Sequence, residues 1–317
     1  MQIFGPIPSR RLGWSLGVNT LPEKICSYSC AYCQVGLTQH FDTTRRDYAD
    51  PQELAALVAE KIAAVKQKGG TVEVISFVPD GEPTLDARLG DEIAAVRSMG
   101  KVAVITNGSL MDRADVRRDL LQADIVSIKI DTLDQPAWRK VDCPADGVAL
   151  PALLDGIRTF AKEFKGTLLT ETMLVGKVND DAARLTATAK FIADLKPKKS
   201  YILVPTRPPA RLDITLPTPE TLAAAWQIFT AALPPDTAEM LTGHEGNAFS
   251  STGDARADIL AITAVHPLRI ENIESILHAA GASWDIVESL KNEGLVSEVT
   301  FGTDRFIVRA LHTFTKG

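Results

Sequence analysis

This chain of 317 residues has four cysteines, and three of them stand within eight positions. That scarcity and clustering exclude a disulfide framework, which spreads paired cysteines along a secreted chain. No uninterrupted apolar run reaches the roughly 20 residues that a membrane-spanning helix needs. The opening MQIFGPIPSRRLGW lacks the apolar centre of an export signal, so a reducing cytoplasm is the expected compartment. The net charge of −6 gives no global attraction for nucleic acid or an anionic membrane, leaving open only a local basic groove. There is no internal repeat and no low-complexity tract. What remains is an ordinary globular composition, 45% hydrophobic and 23% charged, long enough for two domains or one domain with an appendage.

Cys26, Cys30 and Cys33 lie in ICSYSCAYCQVG, a C-x3-C-x2-C spacing. Three thiolates on one short loop can hold three corners of a cubane iron–sulfur cluster. With no fourth cysteine nearby, one iron would keep an open position and could bind a ligand. Zinc is the alternative, with His40 as fourth ligand in C-x3-C-x2-C-x6-H. The x3 spacing of the first pair and the missing second knuckle count against it. Tyr32 directly precedes the third cysteine, and C-x3-C-x-aromatic-C resembles the signature of radical S-adenosyl-L-methionine (radical SAM) enzymes.

From about residue 15 to 233, apolar β-branched runs alternate with amphipathic stretches. Strands are predicted at 15–20, 72–78, 101–106, 124–130, 167–175 and 200–205, and the cysteine loop follows the first. A helix starts after Asp50, with Pro51 at its first position, and stops at Gly69-Gly70. Further helical patterns lie near 86–99, 110–122, 150–164, 179–195 and 218–232. Such alternation predicts an α/β fold, a parallel sheet covered by helices. The resemblance implies a partial (β/α)6 TIM-type barrel; strand count alone also permits a doubly wound sheet. In either case ligands bind at the carboxyl ends of the strands. The expected units are a barrel over 1–240, a linker or flap over 241–253, and a small winged-helix-like α+β domain over 254–317.

The second predicted strand ends in Asp80-Gly81-Glu82-Pro83, which resembles the Gly-Gly-Glu-Pro segment of radical SAM proteins in three of four positions. There the backbone and acid meet the methionine amino group, and a carboxylate beside an ammonium neutralises it. By the same resemblance, Thr106, Asn107, Lys129 and Asp131 contact the ribose and methionine portions, and Leu174 and Val175 pack on adenine. Lys129 and Glu171 interrupt apolar strands, where unpaired charges are seldom buried. Arg207, among Pro205, Pro208 and Pro209, is suited to aiming a guanidinium at a carboxylate or phosphate. Arg10 and Arg11 anchor an anionic substrate or pair with nearby acids. Gly243-His244-Glu245-Gly246-Asn247 has the composition of a mobile flap or a solvated loop. Cys143 is a buried inert thiol or a hydrogen donor, and Glu171 and Arg207 join it as candidates for catalysis.

GPIPSRRLGWSLGVN, CSYSCAYCQVG, DGEPTLD, VSIKIDTLD and VPTRPP together resemble wybutosine-synthesis-like iron–sulfur oxidoreductases, a radical SAM group of heterogeneous substrates. The resemblance implies a [4Fe–4S] cluster, S-adenosyl-L-methionine, consumed or recycled, and an external flavodoxin- or ferredoxin-type electron donor. The expected substrate is a small metabolite or cofactor precursor. A peptide, protein or RNA docked through the C-terminal domain is the second reading, and a redox-sensing winged-helix regulator a third. Residues 254–317 carry six Lys and Arg against nine Asp and Glu, which would repel phosphates and argues against the third.

Overall fold

The computed structural model describes residues 1–22, 24–241 and 253–310. The chain opens with a hairpin of β1 (Gln2–Ser9) and β2 (Gly13–Asn19). Within the cysteine region, β3 (Ile25–Cys26) pairs with β4 (His40–Phe41). Then follow α1 (Pro51–Gln67), β5 (Val74–Phe77), α2 (Leu89–Val96), β6 (Lys101–Thr106), α3 (Ala114–Leu120) and β7 (Ile125–Lys129). After α4 (Gln135–Val141) and α5 (Leu150–Glu163) come β8 (Thr167–Met173), α6 (Ala182–Leu195), β9 (Lys199–Leu203), α7 (Pro219–Ala232) and β10 (Ala238–Leu241).

One eight-stranded sheet runs β1-β2-β5-β6-β7-β8-β9-β10, parallel throughout except for the β1–β2 pair. The predicted α/β architecture with a mostly parallel sheet is therefore present. Two strands add to the six expected. Gly5, Pro6 and Pro8 disguise β1, and the sheet edge tolerates prolines that an interior strand would not. The opposite edge, β10, follows Pro234-Pro235 at the end of the expected barrel unit, where no strand is predicted. The helix α1 starts as its sequence demands: Asp50 accepts from the amides of Gln52 at 2.8 Å and Glu53 at 3.1 Å.

Alternation along each strand divides the sheet into two chemistries. The outer face, with Leu16, Val18, Ile75, Phe77, Val104 and Val126, packs against the helical layer in one large core. Toward the strands' amino-terminal ends, the inner face closes over Leu12, Val74, Ala103 and Leu169. Beyond that floor it turns polar, presenting Ser15, Ser76, Lys129 and Glu171 to an internal cavity.

The C-terminal unit comprises α8 (Ala255–Thr263), β11 (Leu268–Arg269), α9 (Ile270–Ala280), α10 (Asp285–Asn292), β12 (Val296–Phe301) and β13 (Asp304–Arg309). Its sheet runs β11-β13-β12 and is antiparallel. Ile259, Ile262, Ile276 and Val287 form its core, which also takes in Phe4 and Ile7 of β1. The unit thus shares buried surface with the edge of the large sheet. The proposed flap residues Gly243–Asn247 lie outside the described residues.

Candidate active site

A cavity of about 300 Å³ opens inside the sheet, and Cys26, Cys30 and Cys33 all line it. The loop carrying them is built by local turns and by anchors to α4. Cys33 N–H donates to the Cys30 carbonyl at 3.0 Å, Ala31 N–H to the Val141 carbonyl at 2.8 Å, and Ser29 N–H to the Cys143 carbonyl at 3.0 Å. The DGEP turn docks against it from the other side. A Cβ on Gly81 would lie 1.9 Å from the Ile25 carbonyl oxygen, so only glycine lets the turn approach this closely. The Glu82 amide donates to that same carbonyl at 3.1 Å, next to Cys26.

Glu82 is buried, and its carboxylate organises this corner. It accepts from Thr84 N–H at 3.0 Å, Thr84 Oγ1 at 2.6 Å, Thr106 Oγ1 at 2.6 Å and Asn107 N–H at 2.8 Å. Burial pushes its pKa upward, against the pull of these donors. The turn after β5 is in this way tied to the end of β6.

Each thiol has a different polar neighbour. Asn107 Nδ2 lies 3.5 Å from Cys26 Sγ, the Asp142 carboxyl 3.7 Å from Cys30 Sγ, and Lys24 Nζ 3.3 Å from Cys33 Sγ. Lys24 also donates to the Gly36 carbonyl, which fixes its head in the loop. All four cysteines are free. Burial, followed by the charge of Glu82, pushes Cys26 up to about 12, and burial with Asp142 raises Cys30 well above the thiol range. A metal held by these sulfurs would have to displace their protons.

Among the described residues, no three His, Cys, Asp or Glu side chains are grouped tightly enough to hold a single metal ion. His40, needed by the zinc alternative, is exposed on β4 and does not line the cavity. Three free thiols spread along one cavity wall suit the corners of a polynuclear cluster better than one tetrahedral ion.

Deeper in the cavity, Lys129 and Glu171 face each other in register across β7 and β8, with Nζ and Oε2 3.2 Å apart. Arg11 makes an ion pair with the same carboxylate, and Ser127 Oγ donates to it at 2.7 Å. Burial alone would raise this acid; the Arg11 guanidinium and Lys129 ammonium outweigh it and lower Glu171 to about 2. Lys129 also sits 5.4 Å from the Tyr32 ring centroid, a cation–π distance. The Tyr32 hydroxyl donates to Asp131, and Asp131 accepts from Met173 N–H at 2.6 Å.

Arg207 donates to Gln34 Oε1 at 2.8 Å, and Gln34 Nε2 to the Val265 carbonyl at 2.9 Å. One glutamine beside a cavity cysteine thereby links the loop after β9 to the C-terminal unit. Val265 and His266 of that unit line the cavity.

The expected residues divide on this geometry. Tyr32, Gly81, Glu82, Thr106, Asn107, Lys129, Glu171 and Arg207 line the cavity with the three cysteines. Asp131 stands behind Tyr32, in a small adjoining pocket. Leu174 is buried in the outer core, Val175 packs on Tyr32, and Met173 presents to the cavity instead. Cys143 is not a lining residue; its thiol faces the Lys140 carbonyl at 3.5 Å and is raised by burial. Lys24, Gln34, Asp142 and His266 were not singled out from the sequence. Each is one polar residue in an irregular segment, without a repeat or spacing to mark it.

A mostly parallel α/β sheet with three free thiols at its internal cavity defines a class, enzymes that use an iron–sulfur centre inside a TIM-type barrel. The family model described as the Radical SAM superfamily matches residues 22–188. A UPF0026 protein of Methanocaldococcus jannaschii is 38% identical over 314 residues, covering 99% of this chain and 97% of its own. A UPF0026 protein of Synechocystis is 31% identical over 209 residues, 65% of this chain and 76% of that one. Among solved structures, a radical SAM methyltransferase from Sphaerobacter thermophilus shares the fold with a TM-score of 0.55 at 17% identity. That match covers 73% of this chain and 66% of the other. The chain belongs to the radical SAM superfamily. It is an iron–sulfur enzyme that uses a [4Fe–4S] cluster and S-adenosyl-L-methionine for radical chemistry.

Proposed function

We propose that Cys26, Cys30 and Cys33 hold the [4Fe–4S] cluster and that S-adenosyl-L-methionine binds over the open iron, along the carboxyl ends of β5 to β8. When bound, the cluster supplies the electron that cleaves the sulfonium to methionine and a 5′-deoxyadenosyl radical, which abstracts hydrogen from the substrate. The observation that carries this reading is the convergence of three free thiols, the Gly81-Glu82 turn and Asn107 on one cavity wall.

The chain's own groups orient and shield. Glu82, already accepting four hydrogen bonds, fixes the turn that faces the methionine end and adds negative charge near its ammonium. Thr106 and Asn107 are held by Glu82 at the ribose side; Lys129 and Asp131 bracket Tyr32 toward the carboxylate end. Met173, which presents to the cavity where Leu174 and Val175 do not, supplies apolar surface for adenine. Asn107 and Lys24 aim polar hydrogens at two of the three sulfurs, which favours the more reduced state of a cluster held there.

The substrate is a small metabolite or cofactor precursor. Support comes from Val265 and His266, which make the C-terminal unit part of the cavity wall. Four of the unit's five described basic residues are paired internally: Arg256 with Glu293, Arg269 with Asp304, Lys291 with Glu288, and Arg305 with Glu298. That leaves little free positive charge for the RNA-docking or regulatory alternatives. With a single cysteine outside the cluster motif, electrons come from an external donor of flavodoxin or ferredoxin type in a cytoplasmic, reducing setting. No helix among the described residues is long and apolar enough to cross a membrane. Anaerobic reconstitution tests the reading: wild type releases 5′-deoxyadenosine from S-adenosyl-L-methionine, whereas Cys26→Ala releases none. Undiminished release by Cys26→Ala would refute the assignment.

A further inference from the structure

The stretch that leaves the cysteine region, residues 42–46, is bonded at both ends to the proposed site. At its start the Asp42 amide donates to the Cys26 carbonyl at 3.2 Å. At its end it meets the turn that follows Glu82, a short 3-10 helix over Pro83–Leu85. A helix end leaves its last carbonyls without partners inside the helix. Here three successive carbonyls are satisfied by residues 45 and 46. Arg45 Nε donates to the Thr84 carbonyl at 2.9 Å, Arg46 N–H to that of Leu85 at 3.0 Å, and Arg45 Nη2 to that of Asp86 at 2.7 Å. Two acids of α3 hold the same guanidinium, Asp115 at 3.0 Å from Nη1 and Asp119 at 2.5 Å from Nη2. The Arg45 side chain is only 5% exposed, and it does not line the cavity.

The short helix is therefore capped twice, by the Glu82 carboxylate on the Thr84 amide at its start and by Arg45 at its end. Its approach to the cysteine loop is already as close as it can be. The Glu82 amide is bonded to the Ile25 carbonyl, and a Cβ on Gly81 would clash with that oxygen. One planar fork serves four acceptors at fixed angles, which a lysine ammonium on its flexible stem cannot reproduce. Resting on the placement of S-adenosyl-L-methionine proposed above, we propose that Arg45 is a positioning residue for its binding. From outside the cavity it holds the Gly81-Glu82 turn in register with Cys26, so that the turn meets the methionine ammonium already ordered. Such preorganisation is read as affinity, because the ordering cost is not met at the moment of binding.

The test uses the anaerobically reconstituted protein. Affinity for S-adenosyl-L-methionine is measured by equilibrium dialysis, and amide hydrogen exchange by mass spectrometry in its absence. Arg45→Gln should weaken binding about tenfold, the equivalent of one charge-assisted hydrogen bond. Arg45→Lys should lose less, since it keeps the charge without the fork. In both, exchange should quicken over residues 82–87 and keep the wild-type rate in α5, with iron content unchanged. Asp115→Asn loosens one partly exposed anchor of Arg45 and should weaken binding about threefold. It decides the matter if the Arg45 variants do not fold. Wild-type affinity in folded Arg45→Gln, or in Asp115→Asn where that variant decides, overturns the proposal. So does exchange that quickens equally in α5, which would make Arg45 a general stabilising residue. Failure of wild type itself to bind S-adenosyl-L-methionine would overturn the functional reading instead.

Discussion

The two faces of the central sheet are made from the same strands and do different work. On the outer face, Ile75 and its neighbours close against helices in one apolar core. On the inner face, Ser76, one residue further along, meets Ser15 through a 2.6 Å hydroxyl contact at the edge of the cavity. Two buried glutamates extend the contrast. Glu171, inside, is flanked by Arg11 and Lys129 and sits at about 2. Glu92, outside in α2, is buried beside the carboxyl of Asp86, and desolvation with that neighbour pushes it up to about 9. Burial is common to both, so the neighbours decide the charge. The inner face keeps its charges because it compensates them in pairs.

The largest expected break in this comparison is on the outer face. Ile75→Ala should cost about 2–5 kcal/mol in chemical denaturation of the cluster-free protein, whereas Ser76→Ala should cost only about 0.5–1.5 kcal/mol. Equal losses would mean that the inner face carries the fold as well. Next comes Glu171→Gln, which leaves two cations without their shared acid. A loss of about 2–4 kcal/mol at neutral pH is expected, below the value for a fully buried pair because both cations reach solvent. Glu171 is held below its ordinary 4.5, so its contribution is present above that value and lost as pH falls toward 2. Wild type and variant should converge over that window; a constant gap would point to packing instead.

Lys24→Met should reduce 5′-deoxyadenosine formation about tenfold, the lower end for loss of a group that supports a metal ligand. The midpoint potential of the cluster should move negative, and Lys24→Arg should restore part of it. An unmoved potential would show that Lys24 only fills space. The smallest effect concerns Glu92, whose pKa is raised in the fold. Its contribution is fully present below 4.5 and fades as pH rises toward about 9. Glu92→Gln should therefore stabilise the protein slightly at pH 8 and flatten its loss of stability in alkali, as followed by thermal denaturation.

The sequence showed most where spacing is local. Three cysteines in eight residues, the Gly81-Glu82 turn and the Asp50 cap are each written in a few adjacent letters. Lys129 and Glu171 stood out as charges in apolar strands, yet their pairing depends on the β7–β8 register, which neither segment encodes alone. Arg11 reaches the same acid only because the β1–β2 hairpin turns it inward, and β1 itself was hidden by its prolines. Lys24 and Gln34 act through loop geometry, which has no period to read. Leu174 illustrates the cost of one position: its neighbour Met173 takes the cavity face, and strand alternation sends Leu174 into the core.

The central claim is that the three thiols hold a cluster with one iron open to the cosubstrate. Electron paramagnetic resonance of the reduced, reconstituted protein tests it most directly, recorded before and after adding S-adenosyl-L-methionine. A [4Fe–4S] signal that changes on addition, and is missing in Cys30→Ala, is the predicted result. A signal indifferent to S-adenosyl-L-methionine, or one that survives in Cys30→Ala, would contradict the account.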